Sequence, residues 1–303
     1  MKDLEFTRRG FGMSVLAASF LGQTGMSIAS TDGFQNPELL MHPEEILGRL
    51  NQINSRPAYE KDGTVLIDVR PQEEFSEGHI PGARHLAPNA VAATEGPVDG
   101  ALKSFDKIEQ MLGDLGISPE KRVVFYDDRG GFHAARMFWL LEYLGHRNVA
   151  VLNGGWSGWL AAGGPQSTSE LEHTKASFEA APSPRRFASA DYILAHENDA
   201  ETVIIDVRPT KLYDKGHIPW AKSIPWSRNL KEDKTFKTAG DLLQHFESHG
   251  VTSDHNVVLH CQNGLASAHS YVALRLLGFP RVRVYHRSWA EWGNDASLPK
   301  AIS

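Results

Sequence analysis

Cysteine is almost absent from this sequence, because Cys261 is the only one among 303 residues. A lone cysteine cannot form a disulfide within the chain, so counting cysteines does not decide the redox compartment of the protein. A basic block is also lacking: the chain carries 31 Lys and Arg against 37 Asp and Glu, which gives no support to nucleic-acid binding. No segment after the N-terminal region reaches membrane-spanning length, which predicts a mature protein without a membrane anchor.

The first 29 residues have the pattern of a twin-arginine export signal. Arg8 and Arg9 precede a mildly apolar stretch that is too short and too rich in Gly and Ser for a good membrane anchor. Ser27-Ile28-Ala29 offers small residues for cleavage after Ala29. The pattern predicts that the export machinery recognises residues 1–29 and that the mature protein is periplasmic or otherwise exported.

The chain contains one sequence pattern twice. Asp68-Val69-Arg70-Pro71 returns 138 residues later as Asp206-Val207-Arg208-Pro209, and the same shift carries Gly78-His79-Ile80-Pro81 onto Gly216-His217-Ile218-Pro219. Such self-similarity predicts two copies of one domain. Because both copies carry these residues, we expect structural roles for them: an internal salt bridge between the Asp and the Arg of each copy, and a turn anchored by each His.

Each copy alternates short apolar runs, rich in β-branched residues, with segments of helical period. This alternation predicts an α/β fold with two tandem domains, each a parallel sheet flanked by helices. We assign residues 37–163 to the first domain and 187–296 to the second. Residues 164–186 are rich in Gly, Ser, Pro and charge, which predicts a linker. The predicted helices include residues 105–115, 134–144 and 268–277.

Cys261 lies at the carboxyl end of a predicted strand, where parallel sheets commonly bind ligands. It follows an apolar strand predicted over residues 257–260 and precedes the helix predicted from residue 268. Loops at the carboxyl ends of such strands bind ligands. Backbone N–H groups and the helix dipole converge there, which favours the thiolate form of the side chain and predicts a nucleophile. The loop residues expected around the sulfur are Gln262, Asn263, Gly264, Leu265, Ala266 and Ser267.

The first copy lacks the thiol. Its corresponding segment reads Asp127-Asp128-Arg129-Gly130-Gly131. The stretch from Asp127 to Gly145 is also one residue longer than the stretch from Cys261 to Gly278. We therefore predict that the first domain is catalytically inactive and supports the second. The substrate pocket is expected where the two domains meet.

Together these features resemble the rhodanese (sulfurtransferase) family in its tandem two-domain form. The resemblance rests on the duplicated Asp-Val-Arg-Pro and Gly-His-Ile-Pro motifs, on Leu152-Asn153-Gly154-Gly155-Trp156 and on the Cys261 loop. It implies that Cys261 takes a sulfane sulfur from a small donor, holds it as a persulfide and passes it to a thiophilic acceptor or a thiol carrier protein. No cofactor is implied, and no metal site is predicted.

The cysteine loop departs from the patterns of both main sulfurtransferase types. Thiosulfate-using members resemble Cys-Arg-Lys-Gly and mercaptopyruvate-using members resemble Cys-Gly-Ser-Gly, whereas this loop reads Cys261-Gln262-Asn263-Gly264. Leu212 stands where the resemblance places a substrate-binding arginine, so we predict that Lys211 and Arg287 supply positive charge near the loop. The donor stays open among thiosulfate, mercaptopyruvate and a persulfide.

Three other functions compete with sulfur transfer. An exported sulfur carrier or binding module of the same fold would use Cys261 with little turnover, and an assay with a small donor and a small acceptor distinguishes it. A cysteine phosphatase of the C-x5-R type needs an arginine six residues after the cysteine, where the chain has Ser267. A cysteine protease needs a histidine paired with the thiol, and nothing in the sequence marks one.

Overall fold

Two α/β domains follow one another along the chain, as the repeat predicts. The computed structural model describes residues 32–50, 62–96 and 98–303. The predicted export signal lies outside these ranges and stays a prediction. Within them, no helix combines the length and the apolar character needed to span a membrane.

The first domain is built around a parallel sheet of five strands. The strands are β1 (Leu40–Met41), β2 (Thr64–Asp68), β3 (Arg84–His85), β4 (Arg122–Tyr126) and β5 (Val149–Leu152). The helices are α1 (Pro43–Leu50), α2 (Gln72–Glu77), α3 (Phe105–Asp114), α4 (Phe132–Tyr143) and α5 (Gly155–Ala161). The strand order is β1-β5-β4-β2-β3. The central strands are buried along their length because helices cover both faces of the sheet.

The second domain repeats this plan with a parallel sheet in the order β7-β6-β8-β9. The strands are β6 (Thr202–Asp206), β7 (Lys222–Ser223), β8 (Asn256–His260) and β9 (Val282–Val284). The helices are α6 (Ala190–Ala195), α7 (Thr210–Tyr213), α8 (Ala239–Ser248), α9 (Leu265–Leu276) and α10 (Ser288–Trp292). A parallel bridge between Phe187 and Val284 extends the β9 edge, as β1 extends the edge of the first sheet.

The segment predicted as a linker, residues 164–186, lies along the first domain without regular helix or strand. The Ala176 N–H group donates to the Gly113 carbonyl oxygen and the Ala181 N–H group to that of Leu144, both at 2.9 Å. Phe178 between them is buried. The connection between the domains is therefore held to the first domain by hydrogen bonds and an apolar contact.

The duplicated motifs form the same buried unit in both domains. Arg70 donates to the Asp68 carboxylate at 2.6 Å and to the Gly78 carbonyl oxygen at 2.7 Å, and it lies 4.4 Å from the ring centroid of Trp156. The second domain repeats each contact with Arg208, Asp206, Gly216 and Trp289. The predicted internal salt bridges are therefore confirmed.

The two motif histidines anchor turns, as predicted. His79 Nδ1 lies 2.9 Å from the carbonyl oxygen of Phe75, and the two rings stack with centroids 3.9 Å apart. His217 makes the same pair of contacts with Tyr213, at 3.0 Å and 3.8 Å. These histidines are thus tied to the helix that precedes each turn.

Helices α4 and α9 join the domains. They occupy equivalent places in the repeat and pack against each other, with the ring centroids of Phe138 and Tyr271 6.3 Å apart. Glu142 of α4 pairs with Arg275 of α9 at 3.0 Å and accepts a hydrogen bond from the Tyr271 hydroxyl group. Both helices are buried on nearly all sides, and one apolar core runs through both domains.

Candidate active site

The single thiol lies at the carboxyl end of β8, between the strand and α9. Gly264 adopts a left-handed conformation with φ of 89°, which turns the chain back into the helix. The turn brings the Gly264 N–H group to 3.2 Å from Cys261 Sγ, to which it donates. Cys261 is only 2% exposed, so its sulfur lies beneath the surface of the loop.

The start of α10 supports the base of this loop. The Cys261 N–H group donates to Ser288 Oγ at 3.0 Å, and Ser288 Oγ donates to the Tyr285 carbonyl oxygen at 2.7 Å. The Trp289 N–H group donates to the Cys261 carbonyl oxygen at 3.0 Å. Ser288 is fully buried, so its hydroxyl group satisfies two main-chain groups that water does not reach.

The helix after the cysteine begins earlier than the sequence predicts. It starts at Leu265 rather than at residue 268, so Leu265, Ala266 and Ser267 form its first turn instead of part of a loop. Its N-cap is Gly264, which provides no side-chain cap. The first N–H groups of a helix have no partner inside it. The N–H groups of these three residues find no other acceptor in the described chain, and they are open to an anion.

The equivalent loop of the first domain already holds an anion. Asp127 stands in the place of the cysteine and is 1% exposed. Its carboxylate accepts four backbone N–H groups, at 2.6 to 3.0 Å. The donors are Arg129, Gly131, His133 and Ala134. The loop between the strand and the helix therefore binds negative charge through its main-chain N–H groups, which the sequence did not predict.

Replacing Asp127 with alanine is expected to lower the free energy of unfolding by about 3–5 kcal/mol, because four buried N–H groups lose their charged acceptor. Asp127→Asn should cost less, since the amide keeps one acceptor oxygen. The neighbouring Asp128, whose side chain is 38% exposed, pairs with Lys234 and accepts a hydrogen bond from Ser157 Oγ; it is the control, and its replacement by alanine should cost about 1–2 kcal/mol. Urea unfolding measures all three; equal losses for D127A and D128A would contradict this role of Asp127.

A cavity of about 630 Å³ lies between the two domains beside the cysteine loop. The second domain contributes Asn263 and Leu265, and the first domain contributes Arg129 and Phe132 at the start of α4. The other lining residues are Pro88, Asn89, Val91, Ala92, Ala93, Thr94, Asp99, Gly100, His133 and Arg136. The domain boundary thus holds a space of the size typical for small-molecule sites.

The two basic residues predicted to bind substrate lie elsewhere. Arg287 pairs with Glu291 at 2.8 Å and lines a different groove, together with Phe105 and Tyr143. Lys211 is exposed on α7 and is not among the residues that line the cavity between the domains. A role for either residue in donor binding stays a prediction.

Two residues of the first domain contact the loop without having been predicted to do so. Arg136 Nη1 donates to the Asn263 carbonyl oxygen at 2.7 Å, and Asn263 Nδ2 donates to Asp99 at 2.9 Å. Burial lowers the pKa of Arg136 to about 10, while the charges of Cys261 and then Asp99 act to raise it, so the guanidinium stays charged at neutral pH. An arginine within the apolar run of α4 was the available signal; nothing in the sequence marked Asp99.

Comparison with known proteins agrees with this architecture. The pattern of the rhodanese-like domain matches residues 54–162 and again residues 189–295. The chain is 32% identical over 276 residues to the thiosulfate sulfurtransferase of Azotobacter vinelandii, a match that covers 88% of this chain and 98% of the relative. It is 31% identical over 293 residues to the sulfur carrier protein TtuD of Thermus thermophilus, covering 89% and 98%.

A solved structure resembles the whole fold. The 3-mercaptopyruvate sulfotransferase SseA of Escherichia coli superposes with a TM-score of 0.73 at 25% identity, covering 84% of this chain and 99% of that one. The two domain matches together span more than half of the sequence. The chain therefore belongs to the rhodanese family of sulfurtransferases, with two rhodanese-like domains in tandem.

Proposed function

We propose that the protein moves a sulfane sulfur from a donor to a thiophilic acceptor through a persulfide on Cys261. The Cys261 thiolate attacks the transferable sulfur of the donor, a bond forms between the two sulfurs, and the donor's own bond to that sulfur breaks with its electron pair left on the donor remnant. An acceptor nucleophile then attacks the outer sulfur, the persulfide bond breaks, and the thiolate returns. Thiosulfate, 3-mercaptopyruvate and organic persulfides are the candidate donors.

The equivalence of the two loops carries this proposal. Three of the N–H groups that hold the Asp127 carboxylate correspond, counted from the glycine before each helix, to those of Gly264, Ala266 and Ser267. A persulfide on Cys261 has two atoms beyond Cβ, as each branch of the Asp127 side chain has. Its outer sulfur would accept the N–H groups of Ala266 and Ser267, which have no acceptor in the described chain, whereas the bare thiol accepts the N–H group of Gly264.

A buried hydroxyl group in the same turn supports the proposal. Ser267 Oγ is shielded from solvent and has no hydrogen-bond partner in the described chain. Buried polar groups without partners are rare in folded proteins because each costs free energy. A sulfur beyond Cys261 Sγ would add an acceptor beside this helical turn.

The cavity between the domains supports an organic donor. Its volume of about 630 Å³ is larger than a small inorganic anion such as thiosulfate fills. Phe132 and Leu265 provide apolar walls. Arg129 and Arg136 contribute positive charge from the first domain, which suits a carboxylate or sulfonate group on the donor. Mercaptopyruvate and small-molecule persulfides combine such a group with a transferable sulfur.

Intact-mass measurement tests the persulfide directly. Incubation with a functional donor is expected to add the mass of one sulfur atom, and cyanide is expected to remove it with release of thiocyanate. Because Cys261 is the only cysteine, any sulfur bound to a thiol must be on Cys261, and no further mapping of the modified residue is needed. Protein alkylated with iodoacetamide beforehand is the control and should gain nothing. Failure of thiosulfate, mercaptopyruvate and glutathione persulfide alike to add sulfur would refute the proposal.

A sulfur carrier is the second candidate, because a relative 31% identical to this chain is named a sulfur carrier protein. A carrier would also form the Cys261 persulfide, but it would release the sulfur slowly to small acceptors. Steady-state turnover with a loading donor and cyanide separates the two functions: many turnovers per protein support an enzyme, and a single stoichiometric release supports a carrier.

A further inference from the structure

Three arginines are buried in the described chain, and one of them has no carboxylate partner. Arg70 and Arg208 each pair with an aspartate, at 2.6 and 2.5 Å. Arg136 is just as buried, at 3% exposure, but it donates to two neutral carbonyl oxygens, those of Asn263 at 2.7 Å and Gly100 at 2.6 Å. Burying a cation without a counterion costs free energy, because the charge loses its hydration. We therefore expect a negative charge near this guanidinium.

The sulfur of Cys261 is the candidate for that charge. The Arg136 guanidinium lies against Gly264, since a Cβ atom on that glycine would touch Arg136 Nη1. The Gly264 N–H group is the donor to Cys261 Sγ. Asp99, the other nearby anion, directs its carboxylate to Asn263 Nδ2 at 2.9 Å instead of to the guanidinium.

The two histidines beside the loop add no positive charge to that of Arg136. Burial lowers the pKa of His286 to about 3, with Arg136 and then Arg287 acting in the same direction, so its ring is neutral. Burial also lowers the pKa of His260, which precedes the cysteine, against the raising effect of Asp206. The Arg287 guanidinium points to Glu291, which leaves Arg136 as the buried cation of the described residues around the loop.

We propose that Arg136, supplied by the inactive first domain, is the counterion of Cys261 and stabilises its sulfur as an anion. Arg136 acts as a positioning residue: it fixes the loop through the Asn263 carbonyl oxygen and places one positive charge beside the thiolate and, after loading, beside the persulfide. The inference uses the proposed function only in taking Cys261 as the reacting thiol.

The residue equivalent to Arg136 in the second domain carries no charge. His269 stands on α9 where Arg136 stands on α4, and its Nε2 lies 3.0 Å from the Gly130 carbonyl oxygen in the loop of the first domain. Burial lowers the pKa of His269 to about 4, so the ring is neutral. The same cross-domain contact is therefore made twice, and only the one that reaches the cysteine loop brings a cation.

The rate of Cys261 alkylation by iodoacetamide, followed against pH, tests the proposal without any sulfur donor. For Arg136→Gln the midpoint is expected to rise by about one to three pH units, the range for loss of a neighbouring opposite charge. Arg136→Lys keeps the charge and should stay near the wild-type midpoint. Arg283→Gln removes a cation from β9, on the strand beside β8, and serves as the control. An R136Q midpoint equal to that of R283Q would overturn the proposal.

A second measurement leaves Arg136 in place, in case its variants do not fold. If the folded protein stabilises the Cys261 thiolate, the thiol loses its proton at a lower pH when folded than when unfolded. The unfolded state then binds more protons between these two pH values, so stability rises with pH there. The wild type should therefore gain stability relative to Cys261→Ser as the pH increases towards about 8.5, the ordinary thiol value. A pH-independent difference would count against Arg136 as counterion, whatever the outcome of sulfur loading.

Discussion

Cys261→Ser is expected to abolish sulfur transfer and to gain no mass with any donor, while the protein stays folded. Serine keeps the hydrogen-bonding contacts of the loop, and Ser288 still accepts the main-chain N–H group of residue 261. Its hydroxyl group is not ionised at neutral pH and forms no persulfide, so the covalent intermediate is lost. We expect the turnover rate to fall by at least about four orders of magnitude, as for removal of other enzymatic nucleophiles.

The measurement pairs a thiocyanate assay with intact mass and a thermal unfolding curve. A melting temperature close to that of the wild type ensures that the loss reflects chemistry and not unfolding. Substantial residual turnover in C261S would mean that sulfur passes directly from donor to acceptor in the cavity. The persulfide mechanism would then be wrong even if the rhodanese fold is intact.

Gly264→Ala is expected to slow sulfur transfer by about 100-fold or more, comparable to the loss of one main-chain donor to a reacting anion. A methyl group on Gly264 would lie 2.5 Å from the His286 carbonyl oxygen and would touch the Arg136 guanidinium. The loop must shift to relieve these contacts, and the shift moves the N–H group that donates to Cys261 Sγ. We expect an additional loss of about 1–3 kcal/mol in the free energy of unfolding from the overpacking.

Gly131→Ala is the matched control for this variant. Gly131 precedes α4 with φ of 90°, so alanine there meets the same left-handed strain of about 1–2 kcal/mol. The nearest atom to its added methyl group is Val151 Cγ1 at 3.4 Å, an ordinary contact. G131A should therefore keep most of the sulfur-transfer activity. Equal activity losses in G131A and G264A would show that backbone strain, rather than crowding at the cysteine loop, accounts for the effect.

The sequence was sufficient for the fold because the chain repeats itself. The two copies of Asp-Val-Arg-Pro and Gly-His-Ile-Pro predicted two domains, and the structure shows why both persist: each pair of motifs builds one buried arginine unit at the end of a strand. The Asp and the Arg of each salt bridge are two residues apart, so local sequence was enough to predict that contact. Strands β1, β3 and β7 have only two residues each and left no readable pattern.

The cysteine loop could be predicted only in part. Its place after β8 followed from the apolar strand, but the start of α9 was set three residues too late because Gly264 provides no side chain that marks an N-cap. The contact of Arg136 with the loop could not be predicted, because Arg136 lies 127 residues along the chain from the carbonyl group that it contacts. Sequence periodicity describes what surrounds a residue on its own element, whereas this contact depends on how α4 and α9 cross.

The burial of α4 also has a consequence for the order of synthesis. The N-terminal domain leaves the ribosome first, and its own sheet covers one side of α4. The opposite side is covered by α9, which is translated only near the end of the chain. Until then Phe138 and its apolar neighbours on that side face water. We expect chaperones to bind the nascent chain at this stage, because exposed apolar surface promotes aggregation. The first domain thus reaches its final form only after α9 of the second domain has been made.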